Sequence, residues 1–189
     1  MVLVGGFGTL SNDLGEVMNY IMVDVEADGP CPGIYSMIEV AAIDCFDPSI
    51  RFTAQFCPIT GTSSKEALAS IKRTREDILK YPAAFHGMRA FADWMKQFKR
   101  PMFISDNNGF DWQFVNYYFW KFTNGNPFGH SSTNMNSVFK GFMRDMTVNA
   151  KHMRKTRHDH TALNDAQGNV EAFNEMRITG LNGFAKTKT

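Results

Sequence analysis

Residues 20–26, Tyr-Ile-Met-Val-Asp-Val-Glu, place two carboxylates inside an otherwise apolar run. The alternation, with Ile21, Val23 and Val25 on one side, suits a β-strand. Side chains two apart on a strand share a face, so Asp24 and Glu26 project together, about 7 Å apart along the chain. Two adjacent acids in apolar surroundings repel each other and are costly to keep ionised. A cation held between them removes that cost. A solvated outer face is the alternative reading of a lone Asp-x-Glu. Asp28-Gly29-Pro30 and Pro32-Gly33 break the chain directly afterwards, and such turns open the end of the strand to a ligand.

The remaining pattern is that of an α/β domain. Ser36–Phe46 and Arg51–Cys57 read as strands joined at Asp47-Pro48, hence an antiparallel hairpin. Ser64–Lys80 is helical in composition, and Ala84–Phe98 is a clearer helix, with Phe85, Met88, Ala92, Met95 and Phe98 at helical spacing. Pro101–Ser105 is a short buried strand, Phe110–Phe122 an aromatic helix, and Asn136–Met146 a further helix. The last helix starts near Thr161, repeats through Leu163, Ala166, Val170, Phe173 and Met176, and is ended by Gly180 and Gly183. This order predicts helices around a mixed sheet. Residues 1–18, with Gly5, Gly6, Gly8 and Gly15, are expected to be a loosely ordered lead-in, residues 19–180 the domain, and 181–189 a polar tail.

Composition narrows the setting. A chain of 189 residues is long enough for one well-cored domain. Its 13% aromatic share argues for a globular fold rather than disorder. The net charge of +1 excludes nothing, because a carboxylate-rich site cancels basic surface in the count. Cys31, Cys45 and Cys57 form no Cys-x-x-Cys pattern, which argues against a disulfide framework or a cysteine zinc site and fits a reducing cytoplasm. No Lys or Arg precedes Arg51, so a signal peptide is not expected. No apolar run reaches the roughly 20 residues of a membrane helix. The expected localisation is cytoplasmic, with no membrane partner.

Two more constellations could carry chemistry. Asp106-Asn107-Asn108-Gly109-Phe110-Asp111 follows a strand and opens a helix. Either Asp could be an N-cap, but both cannot cap one helix start. His160-Thr161-Ala162-Leu163-Asn164-Asp165 opens the last helix. Five helical residues rotate by about 500°, so the two side chains would face apart if both were helical. With His160 on the lead-in loop and Asp165 in the first turn, both reach one site. The alternative is an Asp165 that serves only the helix dipole.

Together these three motifs resemble those of the DnaQ-like (DEDDh) 3′→5′ exonucleases of the ribonuclease H-like superfamily, over roughly residues 20–178. The first motif, DVEADGPCPGIYSM, and the NPFGHSS segment at Asn126–Ser132 are similar to a bacterial exoribonuclease branch that includes RNase AS. The resemblance implies a ribonuclease H-like α/β fold with a mixed five-stranded sheet flanked by helices. It implies that Asp24, Glu26, Asp111 and Asp165 are metal-binding carboxylates, with Asp24 bridging two ions, Glu26 and Asp165 on one and Asp111 serving the other through water. His160 would be the general base, a task suited to the side chain that exchanges protons near neutral pH. All-oxygen ligands select hard cations, so two Mg²⁺ ions are expected, with Mn²⁺ able to substitute. The implied activity is release of nucleoside monophosphates from the 3′ end of single-stranded nucleic acid, RNA favoured. The alternatives are a single-stranded DNA exonuclease and an inactive nucleic-acid-binding module; the complete set of carboxylates and the histidine speak against the module.

Two departures from the pattern are visible. Asp106 stands before Asn107 where many relatives have His, and a second histidine, His158, lies close to the motif. Spacing to Asp165 selects His160. Candidate substrate contacts are Ala27, Asp28, Asn107, Phe110, Arg154 and Arg157. The last two belong to a basic run with Lys151 and Lys155, whose alternative reading is a solvated loop. Trp112, Tyr117, Tyr118 and Trp120 crowd one helix and are assigned mostly to the core, and His86 to a structural role. The expected partner is single-stranded RNA or DNA with a free 3′ end; a homodimer is a further possibility.

Overall fold

A computed structural model describes residues 18–185, with side chains through Thr179; the expectations for the segments beyond lie outside the described residues. The elements run β1 (Asn19–Ala27), β2 (Met37–Asp44), β3 (Arg51–Gln55), α1 (Lys65–Ser70), α2 (Arg75–Ile78), α3 (Ala84–Met95), β4 (Pro101–Ser105), α4 (Asn108–Phe122), β5 (Ser132–Asn134), α5 (Met135–Met143) and α6 (Ala162–Ala185). The strands form one mixed five-stranded sheet in the order β3-β2-β1-β4-β5. β1, at its centre, is antiparallel to β2 and parallel to β4.

Both faces of the sheet are covered, which is why β2 is apolar almost throughout. Ile21, Val23 and Val25 pack on one side against Met88, Phe91 and Met95 of α3 and Phe114, Tyr118 and Phe119 of α4. Met22, Ala41 and Ile43 pack on the other against Met135 and Phe139 of α5 and Ala162, Ala166, Val170 and Phe173 of α6. The aromatics Trp112, Tyr117 and Tyr118 join the first of these cores, whereas Trp120 is 59% exposed.

The pairing of β1 with β4 sets the position of the site. It extends only to Met22 opposite Ile104. β1 then runs on to Ala27, while β4 ends at Ser105 and the chain turns into α4. The strands therefore part, leaving a crevice at their carboxyl ends, the usual ligand position in sheets of this kind.

The turn at Asp47-Pro48 forms, with the Ile50 N–H donating to the Asp47 carbonyl at 2.9 Å. Other details differ from the sequence pattern. Ser64–Lys80 is two short helices, because Lys72 takes a left-handed backbone (φ 54°) and Thr74 starts a new helix through a capping box with Asp77. β5 forms from Ser132-Thr133-Asn134, which carries no apolar signal. The last helix continues through Gly180 and Gly183 to Ala185.

Register shifts at a bulge between Glu26 and Ala27, opposite Met37. The buried Tyr118 hydroxyl holds this place: it accepts from the Met37 N–H at 2.8 Å and donates to the Met37 carbonyl at 3.3 Å. Tyr118→Phe leaves that buried N–H unpaired, so it should destabilise the fold by about 1–3 kcal/mol. Urea unfolding would measure this; a midpoint equal to wild type would mean that the hydroxyl contributes nothing at the bulge.

Candidate active site

Four carboxylates reach the crevice from three elements. Asp24 and Glu26 come from β1, Asp111 from the first turn of α4, and Asp165 from the first turn of α6. With His160, which lies on the loop before α6, they line a cleft of about 440 Å³. Oxygen atoms of Asp24, Glu26 and Asp165 lie within 4.8 Å of one another. Once β4 has peeled away, the Val25 N–H has no strand partner on that side, and Asp111 Oδ1 accepts from it at 3.1 Å. Asp111 Oδ2 is buried without a hydrogen bond. The N-cap of α4 is Asn107 and makes no side-chain cap bond, so neither Asp106 nor Asp111 serves that purpose.

Asp165 is the most heavily engaged of the four. Its Oδ1 accepts from Arg154 Nη2 at 2.9 Å and lies 2.7 Å from His158 Nδ1. Its Oδ2 accepts from the backbone N–H of His160 at 3.1 Å. That bond accompanies a left-handed backbone at His160 (φ 62°), a conformation that costs a non-glycine residue roughly 1–3 kcal/mol. Asp159 organises the same loop through Thr161 and through Asn164, whose Nδ2 donates at 2.8 Å. The His158 and His160 rings lie 4.4 Å apart, centroid to centroid.

Electrostatics follow from this crowding. Burial first, and then the neighbouring Asp111, push Asp24 well above the usual carboxylate range. Burial and then Asp106 do the same to Asp111. Burial, with Asp165 next in importance, lifts Glu26 to about 8. Acids that resist ionisation, with an orphaned carboxylate oxygen among them, fit a divalent cation, whose charge favours the ionised ligands.

The substrate candidates separate into groups. Asn107 and Phe110 line the cleft, and Ala27 and Phe110 also line an adjoining pocket of about 400 Å³, with Gly29, Ser64, Ser70 and Ile71. Arg157 is exposed and outside the residues lining either. Asp28 is turned inward: fully buried, it accepts from the Ser36 N–H at 2.6 Å and pairs with Arg75 at 2.8 Å, so it shapes the loop instead of meeting substrate. Arg154 is likewise committed inward, to Asp165 and Asn169. Asn136 lines the cleft without having been singled out in the sequence, Lys151 of the basic run lines it too, and His158 touches Asp165. For Arg154 the available signal was Gly168, inside a helix, where the guanidinium leaves no room for a side chain.

A mixed five-stranded sheet of this order flanked by helices is the ribonuclease H-like fold that DEDDh exonucleases share. The family model for the exonuclease domain RNase_T matches residues 21–173, and the chain belongs to that family. The chain is 31% identical over 169 residues to the 3′-5′ DNA exonuclease Cap18 of Escherichia coli, covering 82% of this chain and 89% of the relative. Among solved structures it resembles the nuclease domain of 3′hExo, a DEDDh family member bound to rAMP (TM-score 0.69, 16% identity, 86% of this chain and 92% of that one). It also resembles E. coli Exonuclease I in complex with a dT13 oligonucleotide (TM-score 0.70, 12% identity), where it covers 89% of itself but 43% of the larger chain. The class of activity is 3′-5′ exonuclease, and enzymes of this type use divalent metal ions. No helix among the described residues is long and apolar enough to cross a membrane.

The raised carboxyl groups make the metal-free stability depend on pH. Glu26 holds its proton in the folded state until about pH 8, against 4.5 ordinarily. Its stabilising contribution is therefore complete below 4.5 and lost as pH rises through 8. In chelator, the melting temperature should fall across this window, and a divalent cation should restore it most at the alkaline end. A pH-independent melting temperature in chelator would contradict the electrostatic account.

Proposed function

We propose that residues 19–180 form a two-metal-ion exonuclease that removes nucleoside monophosphates from the 3′ end of single-stranded DNA, in a cytoplasmic setting. The observation that carries this reading is the meeting of Asp24, Glu26, Asp111 and Asp165 in one cleft beside His160. The identity to a named DNA exonuclease supports DNA as the polymer. RNA is the second reading, supported by the DVEADGPCPGIYSM and NPFGHSS segments.

Two Mg²⁺ ions, or Mn²⁺ in their place, would supply charge to the attacking and leaving oxygens of an in-line displacement. Asp24, Glu26, Asp111 and Asp165 would hold them. His160 takes a proton from the attacking water. Phe110 and Ile71 offer apolar walls for the terminal base in the pocket beside Glu26. Lys151 at the cleft and the exposed Arg157 offer positive charge to the backbone phosphates.

Asp24→Ala should abolish turnover without unfolding the protein, since it removes a repelling acid. His160→Ala should lose about 10²–10⁴-fold in rate, the usual worth of a general base, and His158→Ala much less. All three are measured on end-labelled DNA and RNA oligomers of one sequence. Collapse of activity in His158→Ala alone would reassign the base, and near wild-type rates in Asp24→Ala would end the metal reading.

Direction is tested separately. A strand blocked by a 3′-phosphate should resist and a circular single strand should survive. Rapid cutting of the circle would show an endonuclease. Faster degradation of the RNA oligomer than of the DNA would select the second reading.

A further inference from the structure

Arg154 is the charge in the metal centre that the four-carboxylate motif does not count. Its side chain is only 7% exposed, and that of Asp165 only 1%. Nη2 donates to Asp165 Oδ1 at 2.9 Å and to the Asp165 carbonyl at 3.4 Å, while Nη1 donates to Asn169 Oδ1 at 3.3 Å. The guanidinium packs against α6 at Gly168: a Cβ there would fall 2.7 Å from Nη2 and nearer still to Nε. Such a berth is costly to build, because a buried guanidinium must be paired to be tolerated, and a glycine inside a helix weakens it. A loop cation that merely met substrate phosphates would need neither.

We propose that Arg154 is a positioning residue that fixes Asp165 and sets the net charge of the loaded centre. This rests on the metal reading above. Four ionised carboxylates and two divalent cations sum to zero, leaving no charge to draw in a phosphodiester. Adding the guanidinium leaves the loaded centre at one positive charge, which a single phosphodiester neutralises. Asp106 and Lys151, the other charged groups lining the cleft, offset each other. Arg154 therefore weakens cation binding somewhat and strengthens substrate binding. Its fork also directs Asp165, with Oδ1 held and Oδ2 tied to the backbone of His160.

The two roles separate by substitution. Arg154→Met removes charge and fork, whereas Arg154→Lys keeps the charge. Gly168→Ala keeps arginine but pushes the guanidinium off its berth, and such a change ordinarily stabilises a helix. Calorimetric titration of the metal-free protein with Mg²⁺ or Mn²⁺ measures cation affinity without turnover, and kinetics on an oligonucleotide give KM and kcat. Arg154→Met should bind the cation about tenfold more tightly or better, and raise KM by about tenfold or more. Arg154→Lys should keep wild-type cation affinity and KM and lose kcat. Gly168→Ala should follow Arg154→Met in both readouts while melting no lower than wild type. Should Arg154→Met or Gly168→Ala, folded by circular dichroism, leave affinity and KM within about twofold of wild type, or bind the cation more weakly, Arg154 is a packing residue and the inference falls. Absence of cation uptake by the wild type would overturn the metal reading, and this inference with it.

Discussion

One backbone N–H decides where this site lies. After Met22 the central strand loses its parallel neighbour, and the Val25 amide would face the crevice unpaired. Asp111 supplies the missing acceptor with one oxygen and holds the other in the crevice without a hydrogen bond. A single carboxylate thus ends the sheet and begins the site. It also ties the amino end of α4 to β1, so Asp24 and Asp111 are set by the same contact that closes the core. A buried polar group without a partner is expensive, which gives the fold itself a reason to keep this acid in place.

The remaining acids are assembled against their own repulsion. Asp24, Glu26 and Asp111 are driven toward the protonated form chiefly by burial, and Asp111 and Glu26 add to the burden of Asp24. Asp165 is held by Arg154 and the His160 amide and lies against His158. The centre is therefore asymmetric before any ion arrives. One side is a cluster of mutually repelling oxygens, and the other is a carboxylate already oriented by the protein's own cation. Folding stability and cation binding are linked through the same groups, as expected where ligands must ionise to bind.

Much of this was legible in the chain. The alternation around Asp24 and Glu26 is strong because β1 is central and apolar on both faces, and the aromatic helix after Ser105 could be read from its content. The five-residue step from His160 to Asp165 works only because His160 leaves helical geometry, as its left-handed backbone shows. β5 could not be seen, since three polar residues form a strand only by pairing with β4. The break at Lys72 rests on a single backbone torsion. Asp28 and Arg154, expected at the substrate, turn inward for one shared reason. A charge is buried when a specific partner takes it in, and Arg75, 47 residues along the chain from Asp28, leaves no local trace.

The central claim is that these four carboxylates hold a pair of divalent ions, and anomalous diffraction from crystals grown with Mn²⁺ and a nucleoside 5′-monophosphate tests it most directly. The account predicts two peaks about 4 Å apart in the cleft lined by Asp24, Glu26, Asp111 and Asp165. No peak at these residues, or one ion held instead by His158, His160 and Asp165, whose ligand atoms also lie within 4.8 Å of one another, would contradict it.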